Sequence, residues 1–391
     1  MAVLGKFKGR LEIQEAGSGK RGTHFVREQR ARSARELEPR SARAPHPSPS
    51  LFPFLSLFLF SFLFFGCSND APVNAPIDAS KWEKPAGTSG GDTERTAAPT
   101  FSGDSAYDYV ARQVAFGPRV PNSAEHRACG EWLASELERH GAQVTVQRGK
   151  VRAYDGTVLD MANIIGAFHP ERNNRILLYA HWDTRPFADK DTVRQREPID
   201  GANDGGSGVG VLLEVARHLN DVSLPENLGV DIIFFDAEDY GSPEWAQASS
   251  RGFRDWCLGS QFWANQPHEI GYNARFGILL DMVGSKDAIF NREGTSMAFA
   301  PSVVQKVWSA AERLGYGDLF STNVTPETID DNLFVSQLAG IPSANIVHYQ
   351  VQVLPMGYGP YHHTHRDNMD IISRETLQAV GEVVMDVVWN D

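Results

Sequence analysis

The sequence predicts an α/β fold: a single globular domain with a mostly parallel central β-sheet flanked by helices. Three observations carry this expectation. Short apolar runs at Arg175 to Ala180, Val230 to Phe235, Phe276 to Leu280 and Ser343 to Tyr349 read as strands, the first three continuous enough to be buried on both faces. Segments with apolar residues at helical spacing alternate with them. Acidic residues and one histidine stand where buried strands should end, and the carboxyl ends of parallel strands open onto one shared crevice.

Taken in order, residues 1 to about 50 are rich in Arg, Ser and Pro and show no apolar period. Residues 51 to 65 are almost wholly Leu, Phe and Ser, and Gly66-Cys67 follows. A basic stretch, a short apolar stretch and a small residue before a cysteine predict a signal peptide. The apolar stretch is short for a transmembrane span. Residues 68 to 100, rich in Ala, Pro, Gly, Ser, Thr and Asp, predict a flexible tether. The expected organisation is a leader and signal over 1–66, a lipidated tether over 67–100 and one folded domain over 101–391. Within that domain, Ser102 to Phe116 and Ala124 to His140 predict helices, the second closing at Gly141. Residues 143 to 168 alternate well enough for two strands joined at Asp155-Gly156. Gly208 to Leu219, Ser302 to Leu314, Asp330 to Leu338 and Arg374 to Trp389 are the helices between and after the buried strands.

The formal charge of −12 hides an asymmetry. Residues 1–50 carry eleven Lys/Arg against five Asp/Glu, a net +6, so the rest of the chain stands near −18. Such a body argues against nucleic acid as a partner. It is compatible with substrates bearing a positive amino terminus. After Cys67, Cys129 and Cys257 are either two free thiols or a disulfide, and the sequence leaves both open.

The chemistry sits at the strand ends. Asp204 lies in the glycine-rich run Asp200 to Gly208. Glu238 and Asp239 close the run Val230 to Phe235, with Asp236 just before them. Asp281 closes the next, and His363 lies in Tyr361-His362-His363-Thr364-His365. Carboxylates crowded into one crevice repel unless a cation or protons neutralise them. Carboxylates with imidazole suit a zinc-like metal, and a catalytic zinc needs three protein ligands. Each acid also has a plainer reading. Glu238 and Asp239 would cap a helix start, Asp204 would shape a glycine turn, and Asp281 would be a strand-end turn residue. One of Asp330 and Asp331 would cap a helix. Asp236 is expected to bond local backbone. His362 and His365 are expected to face solvent or to support ligands rather than to be ligands.

The ordered set His181-Trp182-Asp183-Thr184, the Asp204 loop, Asp236-Ala237-Glu238-Asp239, Asp281 and His363-Thr364 resembles the zinc-dependent exopeptidase superfamily that contains bacterial aminopeptidases and animal-type glutaminyl cyclases. The likeness covers roughly residues 102 to 391 and implies a zinc exopeptidase-like fold. The aminopeptidase branch implies two zincs on His181, Asp204, Asp239, Asp281 and His363. The cyclase branch implies one zinc (Zn2+) per chain on Asp204, Asp239 and His363. There Glu238 is the acid/base, Asp281 and Asp330 form an acidic network, and Trp245 is a substrate-pocket wall. Three details resemble the bacterial cyclases: Asp239 where aminopeptidases usually show Glu, Trp245 after the metal motif, and the runs His181 to Asp189 and Trp256 to Gln261. His362 departs from the Trp that animal enzymes carry there. The implied activity is conversion of an amino-terminal Gln of peptides or proteins to pyroglutamate with loss of ammonia. Separately, Phe64-Phe65-Gly66 before Cys67 resembles a bacterial lipoprotein cleavage site, so the expected setting is a monomer exported into the cell envelope and held to the membrane by a lipid on Cys67. A di-zinc aminopeptidase and an inactive binding ectodomain are the alternatives.

Overall fold

The computed structural model describes residues 96–220, 224–247, 251–351 and 357–391. The signal segment, Cys67 and the tether up to residue 95 lie outside the described residues. Among those described, no helix is long and apolar enough to cross a membrane.

Two helices, α1 (Gly103–Val114) and α2 (Ala124–Arg139), open the domain. Ser102 and Ser123 cap them, each hydroxyl accepting a backbone N–H from three residues on, as side-chain caps do. Gly141 leaves α2 at φ +88, a left-handed turn that suits glycine. The hairpin β1 (Gln143–Arg152) and β2 (Val158–Phe168) follows, then β3 (Asn174–His181), α3 (Gly206–His218), β4 (Leu228–Phe235), α4 (Leu258–Asn265) and β5 (Gly277–Asp281). A small parallel pair, β6 (Phe290–Arg292) and β7 (Phe320–Val324), brackets α5 (Gly294–Phe299) and α6 (Pro301–Arg313). The chain ends with α7 (Asp331–Gln337), β8 (Ser343–Val347) and α8 (Arg374–Trp389).

The main sheet has the order β1-β2-β4-β3-β5-β8. Strands β4, β3, β5 and β8 pair in parallel, and β2 pairs antiparallel with both β1 and β4. Side chains alternate between two cores, as a two-faced sheet requires. Ile176, Leu178, Ala180, Val230, Ile232 and Phe234 pack toward α1, α3, α6 and α8. Leu177, Tyr179, Ile233 and Phe235 pack toward Trp263 of α4 and Val335 of α7. One polar pair interrupts this face: the Arg175 guanidinium donates to both Asp231 carboxylate oxygens at 2.5 and 2.6 Å. Register then fixes the site. His181 pairs with Phe235 and Asp281 with Val347, so three parallel strands deliver polar residues at one edge.

The mostly parallel sheet, the hairpin turning between residues 152 and 158 and the long helices match expectation. Helices α4 and α5 and the β6–β7 pair were not anticipated. Each has eight residues or fewer, too short for a helical period to stand out. Cys129 and Cys257 are both buried free thiols.

Candidate active site

The strand exits and two loops bring the predicted ligands together. Asp204 immediately precedes Gly205 and the start of α3. Gly205 stands at φ +83, and a Cβ there would lie 2.4 Å from the Asp183 carbonyl oxygen, so the turn that presents Asp204 admits no side chain. His363 comes from the loop before α8 and is itself held at φ +57, a conformation non-glycine residues rarely adopt. Its Nε2 lies 3.2 Å from Asp239 Oδ1 and 3.8 Å from Asp204 Oδ2. On the other side of Asp204, His181 Nε2 lies 3.1 Å from Asp204 Oδ1 and 3.3 Å from Asp281 Oδ1. Asp204 therefore stands between two histidines, one oxygen toward each.

The donor set fits a zinc ion. Asp204 Oδ2 and Asp239 Oδ2 are buried carboxylate oxygens without a hydrogen-bond partner. Buried polar atoms are rarely left so unless something else binds them. An imidazole within 4 Å of each of two nearly dry carboxylates offers the nitrogen and oxygen ligands that zinc takes. His181, Asp204 and Asp281 form a second cluster of ligating atoms, and Asp204, His362 and His363 a third.

The sequence reasoning missed most of the scaffold around these ligands. The Asp183 carboxylate accepts the backbone N–H of Glu238 at 3.0 Å and of Asp239 at 3.2 Å. The Asp367 carboxylate accepts those of Asn203 and Asp204 at 2.7 and 3.0 Å. Arg185 is fully buried. It grips Asp189 with two donors at 2.7 and 2.6 Å, donates to the Asp239 carbonyl at 3.0 Å, and lies over the Trp256 ring. Asp189 Oδ1 in turn sits 3.5 Å from His363 Nδ1. Asp183 follows directly on a strand exit, so the strand-end rule could have flagged it. Asp367 and Asp189 carry no local signal, because the backbone and ring they fix are far away in sequence.

Glu238 is half-buried beside these ligands, and the Cys257 thiol donates to its Oε1 at 3.1 Å. Burial pushes its carboxyl well above the usual range, and Asp239, Asp330 and Asp331 push the same way against the pull of His181. Asp330 caps α7, accepting the Asp331 N–H, and its other oxygen accepts from the Asn345 amide at 2.7 Å. Burial and the charge of Asp281 drive Asp330 well up as well. Asp331 is raised to about 7, mainly by burial, and accepts the Ser260 hydroxyl. Asp330 is thus both the cap and the network member, two roles that the sequence treated as alternatives. A cavity of about 380 Å³ opens over this group, and Glu238, Asp239, Asp281, Trp256, Tyr349 and Tyr358 are among its walls. Trp245 lies outside that lining. It is 39% exposed, its ring edge-on to Phe187 and beneath Arg196. His362 lines the cavity and takes a hydrogen bond from Lys190, and His365 contacts the Arg194 carbonyl. Asp236 accepts the N–H of the neighbouring Ala237, the local bond expected, but also that of Ala162, 74 residues away, and has His126 Nε2 at 2.8 Å.

Comparisons with known proteins agree with this geometry. Residues 163–388, more than half of the chain, match Peptidase family M28. The glutaminyl cyclase of Bacteroides thetaiotaomicron, solved bound to N-acetylhistamine, superposes with a TM-score of 0.73 at 51% identity, covering 75% of this chain and 100% of that one. Tannerella forsythia glutaminyl cyclase gives 0.72 and 52% over the same shares. A Zn-dependent exopeptidase from Parabacteroides distasonis gives 0.73 and 52%, again over 75% and 100%. Aminopeptidase YwaD of Bacillus subtilis is 28% identical over 292 residues, 70% of this chain but 54% of that protein, so the chain spans about half the length of this curated relative. On the family match, the fold and the strand-end ligands together, the chain belongs to peptidase family M28.

Proposed function

We infer that this protein is a glutaminyl-peptide cyclotransferase with one zinc per chain, held by Asp204, Asp239 and His363. The observation that carries the reading is the 51% and 52% identity to two solved glutaminyl cyclases, each over its whole length. The site chemistry supports it. Bound zinc supplies a Lewis acid for the γ-carboxamide oxygen of the substrate. Glu238, with its carboxyl raised toward neutrality, accepts a proton from the substrate α-ammonium. The freed amine attacks the γ-carbon and the carbon–nitrogen bond of the carboxamide breaks; Glu238 returns its proton to the departing nitrogen, and the second proton that the ring nitrogen sheds leaves with it as ammonium. Both reacting groups belong to one residue, so orientation matters most. Trp256, Tyr349 and Tyr358 offer the apolar walls that would hold the glutamine stem. Asp330 and Asp331 keep negative charge near Glu238 and, with burial, push its carboxyl up.

A second reading, a di-zinc aminopeptidase, is favoured by one observation: His181, Asp204 and Asp281 form another ligand set. Mass spectrometry of a Gln-initiated peptide after incubation decides between them. Loss of ammonia with an intact chain supports the cyclase, and removal of the first residue overturns it. Elemental analysis of the purified protein is expected to give one zinc, and two tightly held zincs count against the assignment. We further propose that the protein acts as a monomer and is exported and tethered through a lipid on Cys67. Export machinery continually exposes new amino-terminal glutamines, and the acidic body suits their positive amino groups.

A further inference from the structure

His126 occupies the first turn of α2, its backbone N–H held by the Ser123 hydroxyl at 3.0 Å. Its ring is 3% exposed and reaches toward the exits of β3 and β4. One face stacks on Trp182, with centroids 4.2 Å apart and planes 17° from parallel. Its Nε2 lies 2.8 Å from Asp236 Oδ1. Trp182 sits between His181 and Asp183, and Asp236 sits two residues before Glu238. One imidazole therefore touches both chain exits that carry the site.

The Asp236 carboxylate is fully engaged. Oδ1 also accepts the Ala237 N–H at 2.7 Å, Oδ2 accepts the Ala162 N–H at 2.7 Å, and the Asp236 N–H donates to Asn163 Oδ1 at 3.0 Å. These bonds surround Ala237, which is held at φ +54 although it is not glycine. Such a backbone persists only where its neighbours over-determine it. Beyond Ala237 the chain presents Glu238, whose N–H is caught by Asp183. A buried imidazole–carboxylate pair is a poor way to gain stability alone, since an apolar side chain would fill the same space beside Trp182 without desolvating a charge.

We infer that His126 is a positioning residue: through Asp236 it holds the left-handed Ala237 link that aims the Glu238 carboxylate into the cavity. This rests on the reading of Glu238 as the acid/base. A displacement of about 1 Å at a reacting group costs up to about 100-fold in rate.

The test compares three variants of the full-length, zinc-loaded protein. His126→Phe keeps a ring on Trp182 and removes the donor, so kcat should fall about 10- to 100-fold with KM and zinc content unchanged. His126→Gln keeps a donor for Asp236 and should stay near wild type. His126→Gly should regain turnover with added imidazole, because His126 and Trp182 line an open cavity of about 480 Å³ between α2 and the β1–β2 hairpin. Should His126→Phe not fold, Asp236→Asn carries the same expectation. Wild-type kcat in His126→Phe overturns the inference. So does a loss that follows zinc content, or an equal loss in the Gln variant with no recovery by imidazole. If the wild type removes the terminal residue instead of releasing ammonia, the cyclase reading fails, and the same comparison is then read on peptide cleavage.

Discussion

Replacing Glu238 by Gln isolates proton transfer from everything else the residue does. The amide is nearly isosteric, and its oxygen can still accept the Cys257 thiol that lies 3.1 Å from Oε1. The backbone N–H stays bound to Asp183 at 3.0 Å. Glu238 is not one of the three proposed zinc ligands, so metal occupancy should hold. Folding should not suffer either, because the change removes one charge from a crowd that includes Asp239, Asp330 and Asp331. What is lost is the proton shuttle, worth roughly 10²–10⁴-fold in rate. At 1.36 kcal/mol per decade this is about 2.7–5.4 kcal/mol of transition-state stabilisation. The assay is ammonia release from a Gln-initiated peptide at saturating substrate, with zinc content and thermal midpoint measured on the same sample. The fall should lie in kcat, since the carboxylate acts in the step and not mainly in binding. Turnover within tenfold of wild type, with zinc intact, would refute Glu238 as the acid/base.

Asp239→Ala removes a carboxylate that has His363 Nε2 at 3.2 Å, and elemental analysis should show weakened zinc retention after dialysis. Arg175→Ala leaves Asp231 buried with no cation, which should destabilise the domain by about 3–5 kcal/mol in urea unfolding. Adding Asp231→Leu should recover much of that loss. Burial lowers His348 to about 4 from the ordinary 6.5, so between those values the unfolded chain holds a proton that the folded chain does not. Stability should therefore fall by about 3 kcal/mol as pH drops from 6.5 to 4, and His348→Gln should lose that component of the pH profile. Cys67→Ser should release the protein or leave its signal uncut, and an alkyne fatty acid should label the wild type. An unlabelled wild type with a soluble mature form points to an ordinary secretory signal instead.

What the sequence disclosed follows from where each physical signal resides. The runs Ile176 to Ala180 and Val230 to Phe235 are buried on both sides, so their apolar continuity survives in one dimension. Acids directly after such runs are legible for the same reason, because inside a buried strand a charge needs a partner, as Asp231 has in Arg175. The supports are not legible. Asp367 acts on the N–H of Asp204, and Asp189 acts on the ring of His363. Both contacts exist only after the sheet order β1-β2-β4-β3-β5-β8 has folded the chain back on itself. The two tryptophans show the same limit. Trp245 and Trp256 are eleven residues apart in sequence, yet Trp256 lies beneath Arg185 and lines the cavity while Trp245 faces outward.

The acids also bear on how many cations the site holds. Asp204 directs Oδ2 toward His363 and Oδ1 toward His181. On the His363 side the orphaned oxygens of Asp204 and Asp239 need a positive partner. On the His181 side the carboxylates already have a partner. There the Asp204 and Asp281 carboxylates both face one imidazole, His181 Nε2, at 3.1 and 3.3 Å. Asp281 is raised by burial, and Asp330 is locked by the Asn345 amide and the Asp331 N–H. A second zinc there would have to replace the contacts that His181 Nε2 makes with Asp204 Oδ1 at 3.1 Å and Asp281 Oδ1 at 3.3 Å. Under the one-zinc reading, the acids on this side instead remain as negative charge near Glu238. Burial raises the Glu238 carboxyl, and Asp239, Asp330 and Asp331 push the same way against the pull of His181, toward the range where a general acid/base works.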